Sequence, residues 1–195
     1  MPAPHQITAS PLTVYLAPTG ETFPEVDAAP AGNWVKLGTE GAKDYNEEGV
    51  TVTLSETVET FTGAESTAPR KAFRTEEGLV LAFMLADLSP EQYALILDDA
   101  TVTTTPAGAS QPGEKEIDLL RGISVHQYAL LAKGESTVDN ALALQYEWPT
   151  VFQSGSPAPV HAKGAPAALA VEFTALEVTA GNFGNLKIQT AVATS

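Results

Sequence analysis

Imidazole bases are scarce in this chain. His5, His126 and His161 are its three histidines, and they fall in an N-terminal tail, a predicted strand and a proline-rich loop. Nothing in their spacing assembles a nucleophile, a base and an orienting acid. Ser154 and Ser156, in the string QSGSPAP, lack the strand-to-helix elbow that exposes a nucleophilic serine, so hydrolase chemistry is not expected. With no cysteine and no paired histidines, tetrahedral zinc spacing is missing as well. One string has calcium-like spacing: Asp44, Asn46, Glu48 and Gly49 occupy positions one, three, five and six of a D-x-N-x-E-G loop. The twelfth position is Ser55 rather than a bidentate Glu, and strand patterning stands where two flanking helices are needed. An ordinary acidic turn is the expectation there. The adjacent carboxylates Glu47/Glu48, Glu76/Glu77 and Asp98/Asp99 look like acid–base dyads, but neighbours on a strand point to opposite faces, so solvated charge is expected. No G-x-x-x-x-G-K or G-x-G-x-x-G follows a strand pattern, which sets nucleotide binding aside. The sequence predicts no catalytic, cofactor-binding or metal site.

Charge excludes a further class. Ten Lys plus Arg face 24 Asp plus Glu, a formal net charge of −14. The first 100 residues hold 16 acidic and 5 basic side chains, the remainder 8 and 5. The one basic cluster, Arg70, Lys71 and Arg74, is followed at once by Glu76 and Glu77. Tight nucleic-acid binding needs a basic patch that releases counterions from phosphates, so it is not expected; an acidic surface repels DNA. The 195 residues, 44% of them apolar, favour a single domain over 1–195 with a core of its own. The longest apolar run, Leu79 to Ala86, is eight residues, whereas a spanning helix needs about 20, so no membrane segment is expected. The start MPAPHQITASPL has neither a cationic nor an apolar leader region, and the lack of cysteine agrees with synthesis in a reducing cytosol.

The elements predicted to carry these residues are mostly strands. Leu12 to Ala17 is a short β-rich run closed by the turn Pro18-Thr19-Gly20, and Asn33 to Gly38 places Trp34 in a second. Gly49 to Phe61 alternates most clearly, with Val50, Val52, Leu54 and Val58 on one side and Thr51, Thr53, Ser55, Thr57 and Glu59 on the other. That pattern predicts a long half-buried strand. The segment Thr62 to Pro69 reads as a tip, and the return arm ends in the run from Leu79, apolar at every position, so that both faces there are expected to be covered. Residues 49–87 thus form a long hairpin with its base in the core. Ser89 to Asp98 predicts the one helix: Ser89 as N-cap, Pro90 at the first position, Gln92 completing a capping box, and Tyr93, Ile96 and Leu97 as an apolar stripe. Further strands are predicted at 100–105, 117–120, 125–132, 141–148, 167–176 and 186–192, with loops at 106–113 and 154–166, the latter rich in proline. Trp34 and Trp148 are expected to be core or interface anchors.

In order along nearly the whole chain, NWVKLG, TEGAKDYNEEG leading into GVTVTLSETVETF, PRKAFRTEEGLVLAFMLADLS, PEQYALILDD, ALALQYEW, ALAVEFTAL and FGNLKIQT resemble the major tail tube proteins of long-tailed phages with non-contractile tails. The resemblance implies a β-sandwich or barrel with one flanking helix, six-fold rings and rings stacked into a tube that conducts DNA from capsid to host cell. It implies a virion protein, present in the host cytoplasm during assembly, whose partners are further copies of itself and the tape-measure, terminator and distal tail proteins. DNA would pass without tight binding. Six copies at −14 each carry −84, so assembly is expected to be salt-sensitive. In such a tube the polar side of the first hairpin arm, Thr51, Thr53, Ser55, Thr57 and Glu59, is the expected lumen face, because hydroxyls hydrate a wall without holding phosphate. Arg70, Lys71 and Arg74, with Glu76, read either as contacts between subunits or, for the cations, as gatekeepers beside an aggregation-prone arm. A monomeric β-sandwich binding or capsid-decorating module, and a secretion-system tube of the same fold, are the alternatives.

Overall fold

The computed structural model describes residues 11–38, 49–86, 88–98, 100–135, 142–164, 167–178 and 181–191. The chain is mainly β. Its strands are β1 (Thr13–Pro18), β2 (Val35–Lys36), β3 (Thr51–Phe61), β4 (Lys71–Leu85), β5 (Val102–Thr105), β6 (Glu114–Ile117), β7 (Tyr128–Glu135), β8 (Ala143–Gln153), β9 (Leu169–Ala175) and β10 (Asn185–Ile188). A helix, α1 (Pro90–Ile96), lies between β4 and β5. Eight strands make one antiparallel sheet in the order β2-β1-β7-β8-β9-β4-β3, with β10 also on β8; β5 pairs β6 apart from it.

The sheet divides at β8. Residues Leu144 to Glu147 pair β10, whereas the last three, Val151 to Gln153, pair β9. Between them lies Pro149, where β8 sets two residues, Pro149 and Thr150, against Ala129 of β7 and the register slips between Tyr128 and Leu130. Proline has no N–H to give a ladder, and a bulge is one of the few strand positions that tolerates it. The two parts of the sheet pack on each other as a sandwich. It is not a closed barrel, because β2 and β3 end the strand order and do not pair.

Alternation decides what fills the sandwich. Val14 and Leu16 of β1, Leu130 of β7 and Trp148 of β8 meet Leu81, Phe83 and Leu85 of β4 and Phe173 of β9, and Ile96 of α1 packs among them. Burying each such side chain stabilises by about 1.5–3 kcal/mol. The opposite face of β1 and β7 is covered by the segment joining β1 to β2. There Trp34, Ala17, Ala129 and Leu131 cluster, the Trp34 ring lies 5.1 Å from that of Phe23, and its indole N–H donates to the Thr22 carbonyl at 3.0 Å. Polar contacts fix the same segment. The Gln145 amide donates to the Pro24 carbonyl at 2.9 Å and to the buried Glu147 at 2.6 Å, and Lys187 pairs with Glu147 at 2.7 Å. Both tryptophans are therefore core residues.

Several expectations are corrected. The strand from Thr51 is not half-buried: Val52 is partly covered, but Leu54 is 79% exposed and Val58 47%. Its alternation is intact, yet the core ends beneath its first residues. In the return arm only one face, Leu79, Leu81, Phe83 and Leu85, is buried; Val80, Ala82 and Met84 on the other are half-covered. The helix stops at Ile96 and no capping box forms. Ser89 makes no side-chain cap bond, and Gln92 instead accepts from the Gly38 N–H at 3.2 Å and donates to the Lys36 carbonyl at 3.3 Å. A tertiary partner at the end of β2 has displaced the local one. Ala94 and Ile96 are the buried helix residues, with Tyr93 and Leu97 half-buried. Finally, the strand expected at 117–120 lies earlier, at Glu114–Ile117, and Leu119 and Leu120 are exposed.

Candidate assembly surface

The 15-residue β4 outruns its second neighbour. β9 pairs only Val80 to Leu85, while β3 pairs β4 from Thr51 opposite Ala82 to Phe61 opposite Lys71. Beyond Gly78 the hairpin has no third strand among the described residues, and 53–61 and 71–77 are exposed at every position. At about 3.3 Å per residue, the stretch from Gly78 to Lys71 runs roughly 20 Å past the core. Among the described residues it is a two-stranded ribbon with both edges unpaired and every side chain exposed. The Arg70 N–H, bonded to the Phe61 carbonyl at 2.8 Å, closes its far end.

The two faces differ in chemistry. β3 carries no extra residue, so Thr51, Thr53, Ser55, Thr57 and Glu59 share one face, opposite Ala82, Val80, Gly78, Glu76 and Phe73. Ser55 donates to the Gly78 carbonyl at 3.4 Å and Thr57 to the Glu76 carboxylate at 3.3 Å. The other face begins apolar at Val52 and Leu54 and then turns ionic. Arg74 bonds Glu56 at 2.5 Å and Glu77 at 2.8 Å, and the hydrogen bond it donates to Glu56, with the charge of both carboxylates, raises the guanidinium pKa further. A bulge sets this pattern. The register slips at Thr57/Val58, with Thr75 as the extra residue of β4, so that Arg74 stands opposite Val58. Unslipped, Arg74 would stand opposite Glu59, on the hydroxyl face.

The hydroxyl residues expected to act together are thus brought to one face, whereas the four expected contact residues are not brought together. Arg74 is engaged within its own hairpin, Glu76 lies on the hydroxyl face with Thr57, and Lys71 sits at the tip opposite Phe61. Arg70 and Lys71 have no ion pair among the described residues. Sequence reasoning missed two exposed aromatics, Phe61 at 59% and Phe73 at 45%, that extend the hydroxyl face toward the tip. The odd number of Phe61 was a readable signal; Phe73 was not, because only the bulge puts it there. Also missed was the exposed apolar segment after β6, which includes Leu119, Leu120 and Ile123.

Elsewhere the titratable groups serve the fold. Asp98, at φ 71, accepts the His126 backbone N–H on both carboxylate oxygens at 3.0 and 3.2 Å, and His126 Nδ1 lies 2.7 Å from the Asp98 carbonyl. Ser154 donates to Glu172 at 3.0 Å and accepts from Thr174 at 2.8 Å, with no histidine among these partners. His5 and the calcium-like residues Asp44, Asn46 and Glu48 lie outside the described residues. Among those described, no helix is long and apolar enough to cross a membrane. No protein-family model and no curated protein matches the chain.

Proposed function

We propose that this chain is a structural, self-assembling subunit: a tail tube protein that stacks as hexameric rings into the conduit through which phage DNA leaves the capsid. The observation that carries the reading is the free-standing ribbon. An isolated two-stranded hairpin is marginal in water, and long open edges with exposed Leu54, Val58, Phe61 and Phe73 invite association. A surface of this kind fits a subunit that neighbouring copies cover. The sandwich with one helix and a long hairpin agrees with the architecture that the sequence resemblance implies.

In this reading no reaction is performed. Neighbouring subunits cover the ribbon, and the hydroxyl face lines the bore, where uncharged groups beside Glu59 and Glu76 hydrate the wall without holding phosphate. The bulge that turns Arg74 to the other face serves the same end. Electron microscopy of the purified chain at high concentration tests the reading: rings or tubes are expected, and a chain with Thr62 to Pro69 replaced by a two-residue turn should stay folded and unassembled. A wild-type chain that remained monomeric would leave the binding or decoration module as the better account.

A further inference from the structure

Of the twelve large apolar residues exposed among the described residues, eight fall in two places, the outer hairpin and the segment 119–125. These two places are unlike each other. At the hairpin tip, Phe61 and Phe73 lie diagonally across one face beside Lys71, with Arg70 next in the chain. In the other, Leu119, Leu120 and Ile123 follow Glu116 and Asp118, which carry no ion pair among the described residues. Unpaired cations with aromatics mark one patch; unpaired carboxylates with aliphatics mark the other.

The second patch is held in place. Arg121 donates to the Gly155 carbonyl at 3.0 Å, and Gly155 lines the cleft beside Thr51 and Ala82, at the base of the hydroxyl face. Tip and segment therefore sit at opposite ends of the hairpin, about 30 Å apart along β3. A shift of one copy along that axis carries its tip to its neighbour's segment.

Resting on the self-assembly reading, we infer that these patches are the two halves of one heterologous contact: Phe61, Phe73 and Lys71 of one copy seat on Leu119, Leu120 and Ile123 of the next, with Asp118 facing the tip cations. The occupant of each patch is a second copy of this chain. Because the halves differ, the contact propagates head to tail and produces a ring or a filament rather than an isolated dimer. It also limits the hydroxyl wall, which ends where Phe73 stands opposite Glu59.

Two double variants test this: Phe61→Ser with Phe73→Ser, and Leu119→Ser with Ile123→Ser. Each is expected to keep the wild-type circular dichroism and to lose all tubes in the microscope. Mixed in equal amounts they should form a heterodimer by light scattering and nothing larger, since each retains the half its partner lacks. Undiminished assembly of either variant, or no heterodimer in the mixture, overturns the inference while wild-type tubes preserve the assembly reading. A wild-type chain monomeric up to its solubility limit overturns both. Should a serine variant misfold, cysteines decide the pairing, since the chain has none of its own. Chains carrying Phe61→Cys and Ile123→Cys, co-assembled and oxidised, are expected to give a disulfide-linked heterodimer; assembled material without it sinks the proposed contact.

Discussion

The two halves of β4 are one continuous strand under opposite rules. From Leu79 to Leu85 it pairs β3 as far as Ala82 and β9 from Val80 on, buries every second side chain and admits no charge. From Lys71 to Glu77 it has one neighbour among the described residues, buries nothing and carries Lys71, Arg74, Glu76 and Glu77. Backbone geometry is shared; the environment is not. Apolar side chains in the inner half stabilise the monomer, whereas those in the outer half do little for it and are left for another surface.

Paired substitutions sharpen that contrast most. Phe83→Ala, at a 4% exposed site, should cost about 3–5 kcal/mol of unfolding free energy by chemical denaturation. Phe73→Ala should stay within about 0.5 kcal/mol of wild type in the same measurement. Equal costs would erase the distinction between the halves. Next, Ile96→Ala tests whether the helix belongs to the inner region: Ile96 is wholly buried, so a loss of about 2–5 kcal/mol is expected, and a surface-like change would detach α1 from the core. Third, Arg74→Ala removes two exposed ion pairs from the ribbon and should leave the unfolding free energy close to that of the wild type. Its clearer trace is faster hydrogen exchange confined to 55–61 and 71–77, with protection at 80–85 unchanged. The smallest effect concerns pH. Lys115 holds the exposed Glu91 carboxyl below its ordinary range, chiefly by hydrogen bonding, and so ties α1 to β6. That contribution is complete above the ordinary carboxylate value and fades as pH falls through the lowered one. Lys115→Met should flatten the corresponding part of an acid titration of stability; an unchanged profile would show that the pair contributes nothing.

Local pattern carried much of this architecture. Period-two alternation located β3, and Pro90 after Ser89 located the start of α1, because those signals arise in the chain itself. What failed depended on partners distant in sequence. Alternation in β3 is the same whether or not a second layer lies beneath it, and the layer ends where β9 stops pairing, at Val80. Gln92 fitted a capping box until Gly38 and Lys36 offered it better bonds. Ile117 to Leu120 had the composition of a strand, but only Ile117 found a partner, Val102. The faces of the ribbon were half legible: the hydroxyl row followed from counting by twos, while the single extra residue that reassigns Phe73 and Arg74 left no mark in the sequence.

The passage of β4 from ribbon into core also makes it a mechanical element. A pull on the tip along the hairpin axis loads the six pairs from Val80 to Leu85 with β9 in shear, all at once, instead of peeling them one after another. Rungs loaded in parallel divide the force among them, so the ladder yields only when several break together. A tug on the projecting arm is thereby delivered to the buried core of the sandwich, and the arm can bear tension that its own two strands alone would have no means to anchor.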